Sequence, residues 1–364
     1  MRSLAALLVL LALCLPAAAT AGDASPAPPE PTGAGDPALT WAGKHLDEVV
    51  LAGVMGLDGG SFRPADPLTR GELYAALGAL SAVGAVGTTA KQPADPGRTV
   101  TMRELDAQLV GALGLSAAAK RFRLAARDAG LEPTGMLGTE TVARLLGLRF
   151  NHPLGQDQLE LLPSEPATRA EAAFSLARVL ALTPDQLTWL DELSQTFAVP
   201  ELDELQRTVL SRALRLVGYP YVWAGMSEKR QLLWSTTVPG TQISRPGGFD
   251  CSGFVWRVYK AQPFAGSPFL SETLKGRTTY AMSGEVKKNQ RIGFAGLQPG
   301  DVIFFGNRGP SSKPIEVGHS GIYVGNGWFV HSSRGGVTLQ LLEGWFRADF
   351  AWARRPLAEA GPTP

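Results

Sequence analysis

The chain has 364 residues, is 45% hydrophobic and carries a formal net charge of +1. That length accommodates two or three domains with packed cores, and so balanced a charge gives no footing for nucleic acid or an anionic membrane surface as a partner. Only two cysteines, Cys14 and Cys251, are present, which excludes a disulfide scaffold. Residues 1–21 read as a secretory signal. Arg2 gives the positive start, Leu4 to Leu15 the apolar run, and Ala19-Thr20-Ala21 a small-residue cleavage site. The run is too short to span a bilayer as a helix, and no later segment is long and apolar enough to do so. Lipidation at Cys14 would need cleavage after the bulky Leu13, so the downstream site is expected instead. The sequence thus predicts an exported protein, secreted or periplasmic, with no transmembrane span.

Residues 22–40, rich in Pro, Ala and Gly, form a linker that cannot bury apolar area. Residues 41–182 read as a run of short helices. Three of them open alike, at Thr69-Arg70-Gly71-Glu72, Thr101-Met102-Arg103-Glu104 and Thr168-Arg169-Ala170-Glu171. Threonine at the N-cap with glutamate three residues on is a capping box, in which each side chain satisfies the other residue's free backbone N–H. Apolar residues then recur at helical spacing, as at Leu73, Leu77 and Leu80. The stretch from Leu57 to Glu72, with its glycine turn and Phe62-Arg63-Pro64, resembles the S-layer homology module, and Trp41 to Met55 fits that module's first helix. The third copy, from Pro163, keeps Pro-x-Thr-Arg-Ala-Glu. In the middle copy the arginine is shifted by one place, and well-capped helix is the better reading of it. The resemblance implies binding of a cell-wall polymer, with Arg70 and Arg169 as the wall-contacting residues. A solvated helix start is the plainer role for both arginines.

Residues 183–201 form a helical connector that opens at Thr183-Pro184-Asp185. The catalytic region is expected over residues 202–356, with a tail at 357–364. Its central feature is Asp250-Cys251-Ser252-Gly253-Phe254. Asp250 is a good N-cap, and Gly247-Gly248 interrupts any earlier structure. Phe254, Val255, Val258 and Tyr259 then make one apolar face, which places Cys251 in the first turn of a buried helix. The free N–H groups and dipole of a helix start are expected to favour thiolate there. A buried, inert thiol is the commoner fate of a lone cysteine. Here the helix start and two later histidines argue for a nucleophile with a general base.

Those histidines, His319 and His331, flank a predicted hairpin through Gly325-Asn326-Gly327. A two-residue loop would pair Ile322 with His331 and put the imidazoles on opposite faces. A three-residue loop with Gly327 left-handed and a bulge would pair Gly321 with His331. The rings would then be diagonal neighbours on one face, about 7–8 Å apart at the backbone. A relay of thiol, base and orienting histidine needs the second arrangement, so the three-residue loop is expected. His319 would take the thiol proton and His331 would fix its tautomer.

The segment from Gly218 to Gly225, Phe249 to Phe254, Gly276-Arg277-Thr278-Thr279-Tyr280, Leu297 to Phe305 and the His319 to His331 hairpin occur in an order that resembles NlpC-type papain-like cell-wall peptidases. The resemblance covers about residues 202–356. It implies an α+β fold, in which a helix bearing the nucleophile packs on an antiparallel sheet, preceded here by an all-α region. It implies Cys251 as nucleophile, His319 as base and His331 as third catalytic residue, with no cofactor and no metal. Tyr221, Asp250, Ser252 and Arg277 fall at its substrate-binding segments. The implied substrate is the peptidoglycan stem peptide, typically cleaved between D-glutamate, through its γ-carboxyl, and a diamino acid. Ala224 departs from the family's paired glycines, and an insert runs from Gly225 to Gly247. An amidase or acyltransferase with the same dyad, a zinc site of Cys251, His319 and His331, and a non-catalytic wall-binding protein are the competing readings.

Overall fold

The computed structural model describes residues 37–87, 92–153, 155–235, 238–261, 264 and 269–361. The expected signal at 1–21, most of the linker and the end of the tail lie outside the described residues.

Helices α1 (Gly43–Leu51), α2 (Arg70–Ala82), α3 (Met102–Ala112), α4 (Ser116–Asp128), α5 (Leu137–Leu145) and α6 (Arg169–Leu180) build the first region. A short 3-10 turn, Pro37–Ala42, precedes α1 and reaches into the stretch expected as linker. Thr69 and Thr101 each form a full capping box. Such caps contribute about 1 kcal/mol apiece. Thr168 caps only one way: its side chain accepts from Glu171 N–H, while the Glu171 carboxylate turns to His152 Nε2 at 3.0 Å.

The three capped starts meet around a pseudo-threefold axis. Leu68 N–H donates to Ala167 O (2.7 Å), Val100 N–H to Leu68 O (2.9 Å) and Ala167 N–H to Val100 O (2.8 Å), which closes a ring of backbone hydrogen bonds. Side chains repeat the ring. Arg169 pairs with Glu72, and Arg70 reaches Glu104 at 3.5 Å. The middle copy has Met102 where the others have arginine, and His152 supplies the missing link to Glu171. Wall contact by Arg169 is therefore corrected. The residue is 4% exposed, and its donors are taken by Glu72, Phe62 O and Gly56 O. Arg70 is paired with Asp95 and Glu104, yet its side chain stays 36% exposed.

Helix α7 (Pro184–Thr196) forms the connector and packs on α4, where Arg121 donates to Ser194 Oγ at 2.8 Å. Helix α8 (Glu204–Leu214) follows, with Asp203 in its capping box. In the insert, β1 (Met226–Ser227) pairs with β4 (Gly248–Phe249), and β2 (Gln231–Trp234) with β3 (Gln242–Arg245). Helix α9 (Cys251–Lys260) comes next, then α10 (Leu270–Thr273) and α11 (Thr279–Gly284). The remaining elements are β5 (Val302–Gly306), β6 (Val317–Gly325), β7 (Trp328–Ser333), β8 (Gly336–Leu341), α12 (Gly344–Ala348), β9 (Phe350–Arg354) and α13 (Pro356–Glu359). Strands β5 to β9 make an antiparallel sheet in the order β8-β7-β6-β5-β9. Helix α9 packs across β6 and β7, burying Phe254, Val255, Val258 and Tyr259. Helix α13 extends into the stretch expected as tail, and Arg354 pairs with its Glu359.

The two regions share one continuous apolar core. Phe122 of α4 lies edge-on to Trp328 of β7, with ring centres 5.6 Å apart.

Candidate active site

Asp250 caps α9 as the sequence predicts, its Oδ1 accepting Gly253 N–H at 2.5 Å. Glycine is required at 253, since a Cβ there would stand 1.9 Å from Gly225 O. Arg277 locks this corner. Its guanidinium donates to Asp250 Oδ1 (3.1 Å), Ser252 Oγ (2.8 Å), Ala224 O (2.9 Å) and Gly225 O (3.0 Å). Ser332 Oγ on β7 donates to Phe249 O at 2.6 Å and ties the strand before the nucleophile to the sheet. No motif or spacing singles out Ser332 in the sequence.

Cys251 is 9% exposed, and its Sγ lies 3.9 Å from Gly318 O. The backbone N–H groups of Ser252 and Ser320 favour the anionic form of the same sulfur. The thiol thus sits against the start of β6, with its neighbours on either side of His319. The β6–β7 ladder pairs Gly321 with His331, and both imidazoles share a face. His319 Nε2 and His331 Nδ1 are 2.7 Å apart. The loop itself differs from expectation. Asn326 (φ 49°) and Gly327 (φ 82°) make a two-residue turn, and the extra residue is absorbed as a bulge between Tyr323 and Gly325. A bulge inserts one residue into one strand and shifts the register as a longer loop would.

Aromatic rings enclose the histidines. Phe346 lies 5.0 Å from His331, and Phe305 lies 5.5 Å from His319, centre to centre. Burial pulls His319 down to about 4. It pulls His331 well below the usual imidazole range, with the neighbouring His319 acting the same way. Burial likewise pushes the Cys251 thiol up to about 12, and the Asp250 carboxylate adds to the effect. Two backbone N–H groups and Arg277 act in the opposite sense but lose. The thiolate expected from the helix start is therefore corrected: the resting pair is a neutral thiol and a neutral imidazole. Desolvation of a full charge outweighs a helix terminus, worth about 0.3–1 kcal/mol at exposed sites and up to ~2 kcal/mol in favourable partly buried ones. The Tyr221 hydroxyl is held protonated by burial and by the nearness of Cys251 and Asp250.

Among the described residues no group of three His, Cys, Asp or Glu side chains is arranged to hold a metal ion, so Cys251, His319 and His331 do not converge as a zinc site requires. Residues 218–355 match the NlpC/P60 family, and residues 37–73 match the S-layer homology domain. The C-terminal part of this chain is an NlpC/P60 domain, preceded by an S-layer homology domain. A probable endopeptidase of Mycobacterium tuberculosis is 33% identical over 134 residues, 37% of this chain and 25% of that protein. The gamma-D-glutamyl-L-lysine dipeptidyl-peptidase of Bacillus cereus is 30% identical over 193 residues, 50% of this chain and 46% of that protein. Murein DD-endopeptidase MepH of Escherichia coli is 27% identical over 158 residues, 43% of this chain and 47% of that protein. A solved NlpC/P60 family protein from Bacillus cereus aligns over 44% of this chain and 43% of its own, at 25% identity and a TM-score of 0.30. The chain thus spans between 25% and 47% of the length of these curated relatives. Within the NlpC/P60 domain, the insert from Gly225 to Gly247 carries an exposed β2–β3 hairpin, with Leu232 67% and Trp234 65% exposed.

Proposed function

We propose that this protein is an exported, wall-associated cysteine endopeptidase that hydrolyses peptidoglycan stem peptides. Its target is the bond between the γ-carboxyl of D-glutamate and the diamino acid. The observation that carries the reading is the 2.7 Å contact between His319 Nε2 and His331 Nδ1, beside a buried thiol at a helix start. The name of the Bacillus cereus relative specifies the same linkage.

The arrangement supports acyl transfer through a thioester. Cys251 Sγ attacks the carbonyl carbon as its proton passes to His319 Nδ1, and the carbonyl π electrons move onto oxygen. For Nδ1 to be free, Nε2 of His319 must carry the hydrogen and donate to His331 Nδ1. His331 then holds its proton on Nε2, which is a buried atom without a partner. Because the resting pair is neutral, proton transfer accompanies attack instead of preceding it. The Cys251 backbone N–H and the protonated Tyr221 hydroxyl stabilise the oxyanion. Collapse expels the amine, which takes the proton from His319. Water, deprotonated by His319, then hydrolyses the thioester and restores the thiol. Asp250 and Ser252, held by Arg277, line the acyl side. Arg70 serves wall attachment; it borders a cleft of about 280 Å³ together with Tyr74, Glu104 and Gln108.

Digestion of purified peptidoglycan by wild type and by Cys251→Ala, with mass analysis of the fragments, tests the proposal. Wild type is expected to release fragments ending in D-glutamate, and Cys251→Ala none. Release by both proteins, or by neither, would sink it.

A further inference from the structure

The wall of the active site from Gly218 to Gly225 runs from the extended residues 219–222 into a turn, closed by Gly225 N–H donating to Val222 O at 2.9 Å, and it has two sides. One side is satisfied inside the peptidase domain, where Val222 N–H donates to Phe249 O at 3.3 Å and Phe249 N–H to Pro220 O at 3.1 Å. The other side faces the helical region. There Tyr221 N–H donates to Asn151 Oδ1 at 3.2 Å, and Trp223 N–H donates to Asp157 Oδ2 at 3.2 Å. The N–H groups of residues 221 and 223 thus both turn to the helical region. At the start of the segment, Arg144 of α5 donates to Gly218 O at 2.5 Å and to Gly335 O at 2.8 Å. Gly218 lies flush on the helical region, since a Cβ there would meet the Glu140 carboxylate at 2.5 Å.

Asn151 and Asp157 belong to the loop between α5 and α6, outside the NlpC/P60 match. The backbone they hold carries Tyr221, whose hydroxyl is near enough to Cys251 to feel its charge, and Trp223, which is 48% exposed at the rim. Asp157 is itself 5% exposed. A backbone N–H stripped of a buried acceptor loses its desolvation compensation, so the segment would shift to find another.

We infer that Asn151 and Asp157 are positioning residues of the peptidase site: the helical region supplies the outer edge of the substrate wall and holds Tyr221 and Trp223 in register with Cys251. This rests on the peptidase reading above. It makes the substrate groove a joint product of both regions, with the helical region contributing to substrate affinity and not only to attachment.

The test uses the full chain and a soluble stem-peptide substrate. The double variant Asn151→Ala/Asp157→Ala is expected to lower kcat/KM by about tenfold or more, with KM raised about threefold or more through the loosened wall and kcat lowered as well because Tyr221 faces the oxyanion. The acceptor-keeping pair Asn151→Asp/Asp157→Asn is expected to restore most of that loss, because either side chain still offers an oxygen to the N–H. Glu132→Gln removes an exposed pair with Arg215 at the same border, away from the wall, and is expected to leave KM within about twofold. A role confined to stability would lower the active fraction, and with it apparent kcat and the melting temperature, at constant KM. That outcome, or an unchanged double variant, overturns the inference. Cys251→Ala is run alongside: hydrolysis that survives in it refutes the peptidase reading, whereas hydrolysis that depends on Cys251 but not on Asn151 and Asp157 refutes only the positioning role.

Discussion

Two ion pairs of the helical region and the candidate catalytic centre of the NlpC/P60 domain treat ionisable groups in opposite ways. In the pairs opposite charges meet: Arg149 and Asp106 lie 2.9 Å apart with side chains 3% and 0% exposed, and Arg169 meets Glu72. In the peptidase domain Cys251, His319 and His331 are buried away from counter-ions and driven neutral. Pairing fixes geometry, because breaking it strands a charge. Neutrality keeps a proton available to move, because no ion holds it in place. A site that must transfer a proton is built the second way, and a ring that must stay closed is built the first.

Breaking one pair sharpens this contrast most. Arg149→Met leaves Asp106 buried without its partner and is expected to cost about 3–5 kcal/mol of stability. Denaturant unfolding of the full chain checks it; a loss under about 1 kcal/mol would mean the pair is replaceable by packing alone. The catalytic half is probed by His331. His331→Ala removes the acceptor for His319 Nε2–H and is expected to lower kcat about a hundredfold, while His331→Asn keeps a carbonyl acceptor and should recover much of it. Equal rates for the two variants would show that tautomer control is not the role of His331.

The smallest effect is read by pH. Cys251 sits near 12 in the fold, against an ordinary thiol value of 9.0. Its alkylation by iodoacetamide should therefore be slow at neutral pH and keep rising past pH 9, where an exposed cysteine levels off. Rapid labelling at pH 7 would indicate a preformed ion pair with His319. The sign for stability follows from the same burial. His319 is depressed from 6.5 to about 4, so below 6.5 the unfolded chain binds a proton that the folded chain refuses. Its contribution is whole above 6.5 and is lost as pH falls toward 4, which a melting series across that window would register.

Much of the candidate site's geometry is legible in the sequence because it is local. Asp250 before Cys251 announces a capped helix, and glycines around two histidines announce a hairpin with both on one face. The expected three-residue loop with a bulge and the observed two-residue turn with a bulge give the same pairing and the same left-handed Gly327, and hydropathy cannot separate the two. The charge state was misread because a helix start is visible in sequence and depth of burial is not. Arg169 reads as a surface group for the same reason, because its partners Glu72, Phe62 and Gly56 are about a hundred residues away. His152, Asn151 and Asp157 gave no sign at all. They sit in an irregular loop without period or motif, and their importance comes only from what the fold brings opposite them.

The closed circuit of Leu68, Val100 and Ala167 has a consequence for lineage. Stacked repeat arrays grow or shrink by whole units because each unit touches only its neighbours and the ends are sealed by special caps. A circuit of three has no ends to seal and no seam at which a fourth unit could be added. Its copies are free to diverge in side chains, as Met102 and His152 have, while their number stays locked.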